Sequence, residues 1–96
     1  MNIEFTARHF NAPDDLRDHA KTQVVRFQKH FKRINNCYIV ISHDNSMFTT
    51  EINLHIPQND IFAKASSNNG LKSIDDCIEK IDTQIAKIVD QWKKYR

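Results

Sequence analysis

The apolar residues of this chain change their spacing along its length, and that change sets the order of its elements. Ile3 and Phe5 alternate with Glu4 and Thr6, a two-residue period that marks a short strand over residues 2–8. Pro13 then opens a different pattern, its fixed φ suiting a first helical turn. Leu16, Ala20, Val24, Phe27, Phe31 and Ile34 recur three and four residues apart. At about 100° per residue they fall within about 80° of one another. The spacing predicts one helix running to the Asn35-Asn36 pair.

Residues 37–43 (CYIVISH) are β-branched and nearly continuous in apolar character, as in an inner strand. Asp44, Asn45 and Ser46 supply a turn. Over residues 48–56, Ile52, Leu54 and Ile56 face one way and Glu51, Asn53 and His55 the other. Residues 57–60 make a second turn, after which Ile61, Ala63 and Ala65 alternate with Phe62, Lys64 and Ser66. Asn68, Asn69 and Gly70 break that strand and offer a helix cap. A second helix follows over about 71–95, with Ile74, Ile78, Ile81, Ile85, Ile88 and Trp92 on one stripe. Asp75, Asp76 and Glu79 stand early in it and Lys93, Lys94 and Arg96 late, as the helix dipole favours.

The order is β-α-β-β-β-α. Short turns make the last three strands antiparallel, and each helix has one apolar face. An α+β fold with both helices on one face of a four-stranded sheet is the simplest closed solution. It is similar to the double-stranded-RNA-binding modules that read RNA phosphates by shape.

At 96 residues the chain is expected to form one domain, because two halves could not each bury a core. No apolar run nears the roughly 18 residues that span a bilayer, and the N-terminus lacks a signal-peptide layout. A soluble, cytoplasmic protein without a membrane partner is the expectation. Cys37 and Cys77 are 40 residues apart with no CxxC, which implies neither a disulfide framework nor a zinc ribbon. Both are expected to act as small apolar residues.

Fourteen Lys and Arg against twelve Asp and Glu leave +2, so placement must decide what the charges do. Asp14, Asp15 and Asp18 open the first helix, whereas residues 21–33 hold Lys21, Arg26, Lys29, Lys32 and Arg33 and no acid. On one continuous helix these five would show solvent a strip of one sign. Unrelieved like charge points to a polyanion. Lys80, Lys87 and Lys94 are seven apart and form a second row, flanked by Asp76 and Asp90. RNA suits these helices better than DNA, since neither has the partner of a helix-turn-helix. Catalytic patterns are weak. The five His are scattered, no HExxH or nucleophile elbow occurs, and a single glycine leaves no phosphate-cradling loop. His43 and Asp44 adjoin, but neighbours on a strand point apart. A small hydrolase or isomerase on this fold would need paired acids or bases that the sequence does not supply.

The chain resembles the short ribosome hibernation-promoting factors, the ribosome-associated translation inhibitors. Their opening I-x-x-T-x-R-H stands here as Ile3-Glu4-Phe5-Thr6-Ala7-Arg8-His9. Their first-helix pattern is similar to Asp15-Leu16-Arg17-Asp18-His19 and to Arg26-Phe27-Gln28-Lys29-His30-Phe31-Lys32-Arg33-Ile34. Their second-helix pattern is matched by Ser73-Ile74-Asp75, Lys80-Ile81, Gln84-Ile85 and Lys87. Ala7 stands where the family has glycine, Asn69-Gly70-Leu71 where it has D-M-Y, and His19 where it has an aromatic residue.

The resemblance implies a non-enzymatic protein that binds the small ribosomal subunit and its ribosomal RNA. It would occlude the decoding and peptidyl region against mRNA and tRNA and idle ribosomes in stationary phase or stress. Residues 1–96 would be a single ribosome-binding domain without the C-terminal dimerisation domain of longer members, so any ribosome pairing would need a second hibernation factor or other contacts. Phosphate contacts are assigned to Lys21, Arg26, Lys29, Lys32, Arg33, Lys80, Lys87 and Lys94, with Arg8 and His9 secondary. No metal or cofactor is implied. The alternative is a sigma-factor-type transcription modulator acting by protein–protein binding.

Overall fold

The structure, a computed structural model, describes residues 1–31, 33–57 and 59–94, with side chains as far as Gln91. Strand β1 (Asn2–Arg8) leads to helix α1 (Asp14–Val24) and a 3₁₀ segment (Val25–Lys29). Strands β2 (Asn36–Asp44), β3 (Met47–Ile56) and β4 (Asn59–Ser67) follow, then helix α2 (Gly70–Lys94). The sheet order is β1-β2-β3-β4, with β1 and β2 parallel and the other pairs antiparallel. A parallel pair needs a crossover, which α1 and the 3₁₀ segment supply. Asp44 pairs with Met47, leaving a two-residue turn at Asn45 and Ser46 with φ of 50° and 63°. Positive φ at both positions matches the right-handed twist of the strands it joins.

One face of the sheet is the core. Phe5, Ile39, Ile52 and Ala63 lie in register across all four strands, as do Ile3, Cys37, Leu54 and Ile61. Helix α2 lies over β3 and β4, while α1 packs on β1 and α2. The α2 stripe is buried at Ile74, Ile78, Ile81 and Ile85 and half-buried at Ile88, and the Trp92 side chain lies outside the described residues. Asn69 caps α2, its Oδ1 accepting from the Lys72 N–H at 3.1 Å. The expected β-α-β-β-β-α layers are therefore present.

The first helix is shorter than its spacing predicts. It ends at Val24, tightens into the 3₁₀ turn, and is irregular through residues 30, 31 and 33–35. Val24 and Val25 are β-branched and lose rotamer freedom against the preceding turn, which weakens the helix there. The chain must also leave the helix layer to start β2. Asn35 already donates its N–H to His55 O at 2.9 Å, and its carbonyl accepts from Asn2 N–H at 3.2 Å. Phe27, Phe31 and Ile34 are nevertheless buried. A segment of any shape that buries every third or fourth residue shows the same spacing.

Cys37 and Cys77 are free and buried. Burial pushes each thiol from 9.0 up to about 12, and the neighbouring Cys77 adds to the rise at Cys37. Between those values the unfolded chain releases thiol protons that the folded chain keeps. Their contribution to stability is full below pH 9.0 and fades as pH climbs toward about 12. Iodoacetamide near neutral pH should leave both thiols intact in the folded protein and alkylate both in urea. Rapid native-state alkylation of either would place that cysteine at the surface. Phe27, with no exposed surface, sets the second expectation. Phe27→Ala should cost about 3–5 kcal/mol in a urea titration, because little around the site can collapse into the hole.

Candidate nucleic-acid interface

Both helices follow strands that run the same way, so they lie parallel. Two bridges fix their register. His19 Nε2 meets Asp75 Oδ1 at 2.6 Å, and seven residues further along both segments Arg26 Nη2 donates to Asp82 Oδ2 at 3.3 Å. Arg26 Nη1 also donates to Gln23 Oε1 at 2.7 Å. The seam between the helices is lined by His19, Gln23 and Arg26 on one side and Asp75, Ile78, Glu79 and Asp82 on the other.

This geometry changes the reading of the basic run. Lys21 lies on α1, Arg26 and Lys29 on the 3₁₀ segment, and Arg33 on the irregular stretch beyond it, so they share no single helix face. Arg26 is spent on Gln23 and Asp82. The acid that residues 21–33 lack arrives from α2. Matched seven-residue spacings, 19 to 26 in one helical stretch and 75 to 82 in the other, are the sequence signal for it.

Lys21, Lys29, Arg33 and Lys87 are exposed and make no hydrogen bond or ion pair among the described residues. The helix register carries Lys29 and Lys87 to one end of the molecule, where Arg33 leads into β2. Lys80 is held differently: its Nζ donates to the Lys64 carbonyl at 2.8 Å, on the edge of β4. Lys32 and the side chain of Lys94 lie outside the described residues.

Arg8 and His9 are at the opposite end, where β1 finishes. His9 adopts φ 69°, a left-handed conformation uncommon for a residue with a side chain. Its Nδ1 sits 2.8 and 2.9 Å from the two Asp44 oxygens, which ties the strained residue to the end of β2. Phe10 then packs edge-on against His43 and Phe48, and those two rings stack at 4.0 Å. No local pattern announces this cluster, because its partners are about 35 residues apart. Among the described residues, Arg8 and His9 thus stand at the opposite end from Lys29, Arg33 and Lys87, with Lys21, Arg26 and Lys80 between them. Three imidazole–carboxylate pairs occur among the described residues, the third being His55 Nδ1 with Asp60 Oδ1 at 2.6 Å. No group of three or more His, Cys, Asp or Glu suited to a metal ion occurs among the described residues.

The Arg26–Asp82 pair joins side chains 53% and 35% exposed, so solvent screens it. Asp82→Asn should change thermal stability by less than about 1 kcal/mol. A larger loss would make the bridge a structural clamp rather than a neutralising one.

Residues 3–93 match the family described as sigma 54 modulation protein / S30EA ribosomal protein. The ribosome hibernation promoting factor of Escherichia coli K12 is 25% identical over 95 residues, covering 99% of this chain and 100% of the relative. That of Pseudomonas putida KT2440 is 25% identical over 87 residues, covering 91% of this chain and 85% of the relative. Among solved structures, the ribosomal subunit interface protein of Coxiella burnetii superposes with TM-score 0.85 at 25% identity, covering 92% of this chain and 97% of that one. The Thermus thermophilus Protein Y N-terminal domain shares the fold with TM-score 0.84 at 19% identity, over 92% of this chain and 99% of that one. A match over nearly the whole chain, on the β-α-β-β-β-α frame that the residues themselves form, places this protein in the sigma 54 modulation protein / S30EA ribosomal protein family.

Proposed function

We propose that the chain is a ribosome hibernation factor that binds the small ribosomal subunit through the basic end of its helix layer. The observation that carries this reading is a group of exposed cations left without a hydrogen bond or ion pair among the described residues, Lys29, Arg33 and Lys87 toward the end where the helices finish and Lys21 on α1; Arg8, at the opposite end, is also unpaired. A solvated like-charge end suits a phosphate-rich surface, on which released counterions supply the affinity. Lys32 and Lys94 belong to the same proposed contact, and Lys80 joins it if RNA displaces its bond to the Lys64 carbonyl. Arg8 and His9 would touch RNA only at the far end. Seated in the decoding and peptidyl region, the protein excludes mRNA and tRNA by occupancy and needs no chemistry. It would idle ribosomes in the cytoplasm during stationary phase or stress, a second factor supplying any pairing of ribosomes.

Sedimentation with ribosomes through sucrose gradients tests this. With six phosphate contacts, log affinity against log salt should fall with a slope of about −4 to −5. Lys29→Glu with Arg33→Glu alters two exposed positions and should leave folding within about 1 kcal/mol of wild type. It should lower ribosome affinity by orders of magnitude and flatten the slope by about 1.5 to 2. Reversing Asp14 and Asp15, at the other end of α1, is the control and should leave ribosome binding intact. A double variant that still sediments and inhibits translation like wild type would end the proposed contact. Salt-resistant binding to a purified sigma factor without ribosomes would favour the transcription-modulator reading instead.

A further inference from the structure

The face of the sheet turned away from both helices carries a second surface, which the helix-layer contact leaves unused. Glu4 pairs with Tyr38, Tyr38 with Asn53 and Asn53 with Phe62, so these four form one row across all four strands. At about 4.8 Å per strand the row is about 14 Å long. Phe62 is 51% exposed, the highest among the exposed large apolar side chains described; Met47, at 42%, is on the same face but six residues along β3 from Asn53, the partner of Phe62. Tyr38 and Val40 are half-buried beside them. Such a patch on an outer sheet face is characteristic of a surface that meets a partner.

The charges of this face select the partner. Glu4, Asp44, Glu51 and Asp60 lie on it against Arg8 and Lys64. Asp44 is held by His9 at 2.8 Å, Asp60 by His55 at 2.6 Å, and Lys64 Nζ stands 4.0 Å from Glu51 Oε1, which leaves Glu4 as the carboxylate without a partner among the described residues. The face is net acidic although the whole chain carries +2. Each aromatic has a carboxylate beside it: Glu4, unpaired among the described residues, opposite Tyr38, and Asp60, whose Oδ1 already meets His55, two residues from Phe62 on the same side of β4. Between the aromatics, Asn53 Oδ1 is buried with no hydrogen-bond partner among the described residues. An unpaired buried acceptor is a cost that an arriving donor can relieve.

We propose that this outer face docks an extended, arginine-rich polypeptide segment. A guanidinium stacks on an aromatic face and forks onto a carboxylate at once, and the row offers both within one side chain's reach. Lysine would gain the charge but neither the stack nor the fork. A polyanion would meet four carboxylates. Turning the Asn53 amide about χ2 gives its oxygen to a guanidinium or a backbone N–H of the segment. The face can bind such a segment whether or not the helix layer binds ribosomal RNA.

Titration of the isotope-labelled chain with octa-arginine, octa-lysine and octa-uridylate, followed through backbone amide shifts, tests the assignment. Octa-arginine should move the amides of Tyr38, Asn53 and Phe62 and bind at least about fivefold tighter than octa-lysine. Glu4→Gln with Phe62→Ser, both at exposed positions, should weaken octa-arginine by roughly tenfold while leaving the remaining spectrum that of a folded chain. Equal affinity for the two peptides would reduce the site to bulk charge and overturn the proposal. Shifts confined to the acids at the helix N-termini, or the same amides moved by octa-uridylate, would overturn it as well.

Discussion

A four-stranded sheet in a chain of 96 residues can be covered on one face only, and the rest of the structure answers to that limit. Both helices must lie on the side of Ile39, Ile52 and Leu54, and the strand directions then make them parallel. Their N-termini consequently crowd together over one end of the sheet. Gly70, the single glycine, begins α2 at that point: a Cβ there would come within 3.1 Å of Leu16 Cδ2 and 3.5 Å of Phe48 Cδ1. The polar groups trapped under α2 are satisfied locally. Thr50 Oγ1 and Ser73 Oγ share a hydrogen bond at 2.8 Å, and Ser73 Oγ donates to Gly70 O at 2.7 Å.

The same restriction leaves β4 as an exposed edge, and α2 closes it. Lys80 Nζ donates to the Lys64 carbonyl, and Gln84 Nε2 to the Phe62 carbonyl at 2.6 Å. Cys77 Sγ reaches the Ala63 carbonyl from within. Side chains of the covering helix thus occupy acceptors on which another strand could otherwise pair. Lys80 is therefore a structural residue before it is a candidate RNA contact, although its spacing with Lys87 gives both the same appearance in sequence.

The changes of apolar period made the element order readable, because burial of one sheet face and one stripe per helix leaves no freedom in that pattern. The end of α1 was not readable, because Phe27, Phe31 and Ile34 keep helical spacing in a segment that is not α-helical. The charged end was legible in part. Lys21, Lys29, Arg33 and Lys87 are exposed as expected, but the neutralisation of Arg26 depends on Asp82, 56 residues away. His9 shows a similar limit. The resembled motif has glycine at position 7, yet the left-handed backbone is at His9, and Ala7 sits at an ordinary strand position opposite Ile41. The alanine there carries no conformational cost.

Charge along the helices resolves the apparent conflict between a formal balance of +2 and a polyanion partner. Asp14, Asp15, Asp18, Asp75 and Asp76 stand in the early turns of the parallel helices, while Lys29, Arg33 and Lys87 follow at the other end. At about 1.5 Å per residue, the eleven or more residues between these groups amount to roughly 16 Å or more. That is about twice the Debye length at physiological salt, so acids at one pole scarcely reach a phosphate at the other. Within α1 the arrangement also favours the helix dipole, with Asp14 and Asp15 in the first turn and Lys21 in the last. One distribution therefore stabilises α1 and concentrates positive charge toward the end where the helices finish. The formal charge averages two poles, and a polyanion seated at the end where the helices finish meets Lys29, Arg33 and Lys87 against Asp90, the single acid there among the described residues.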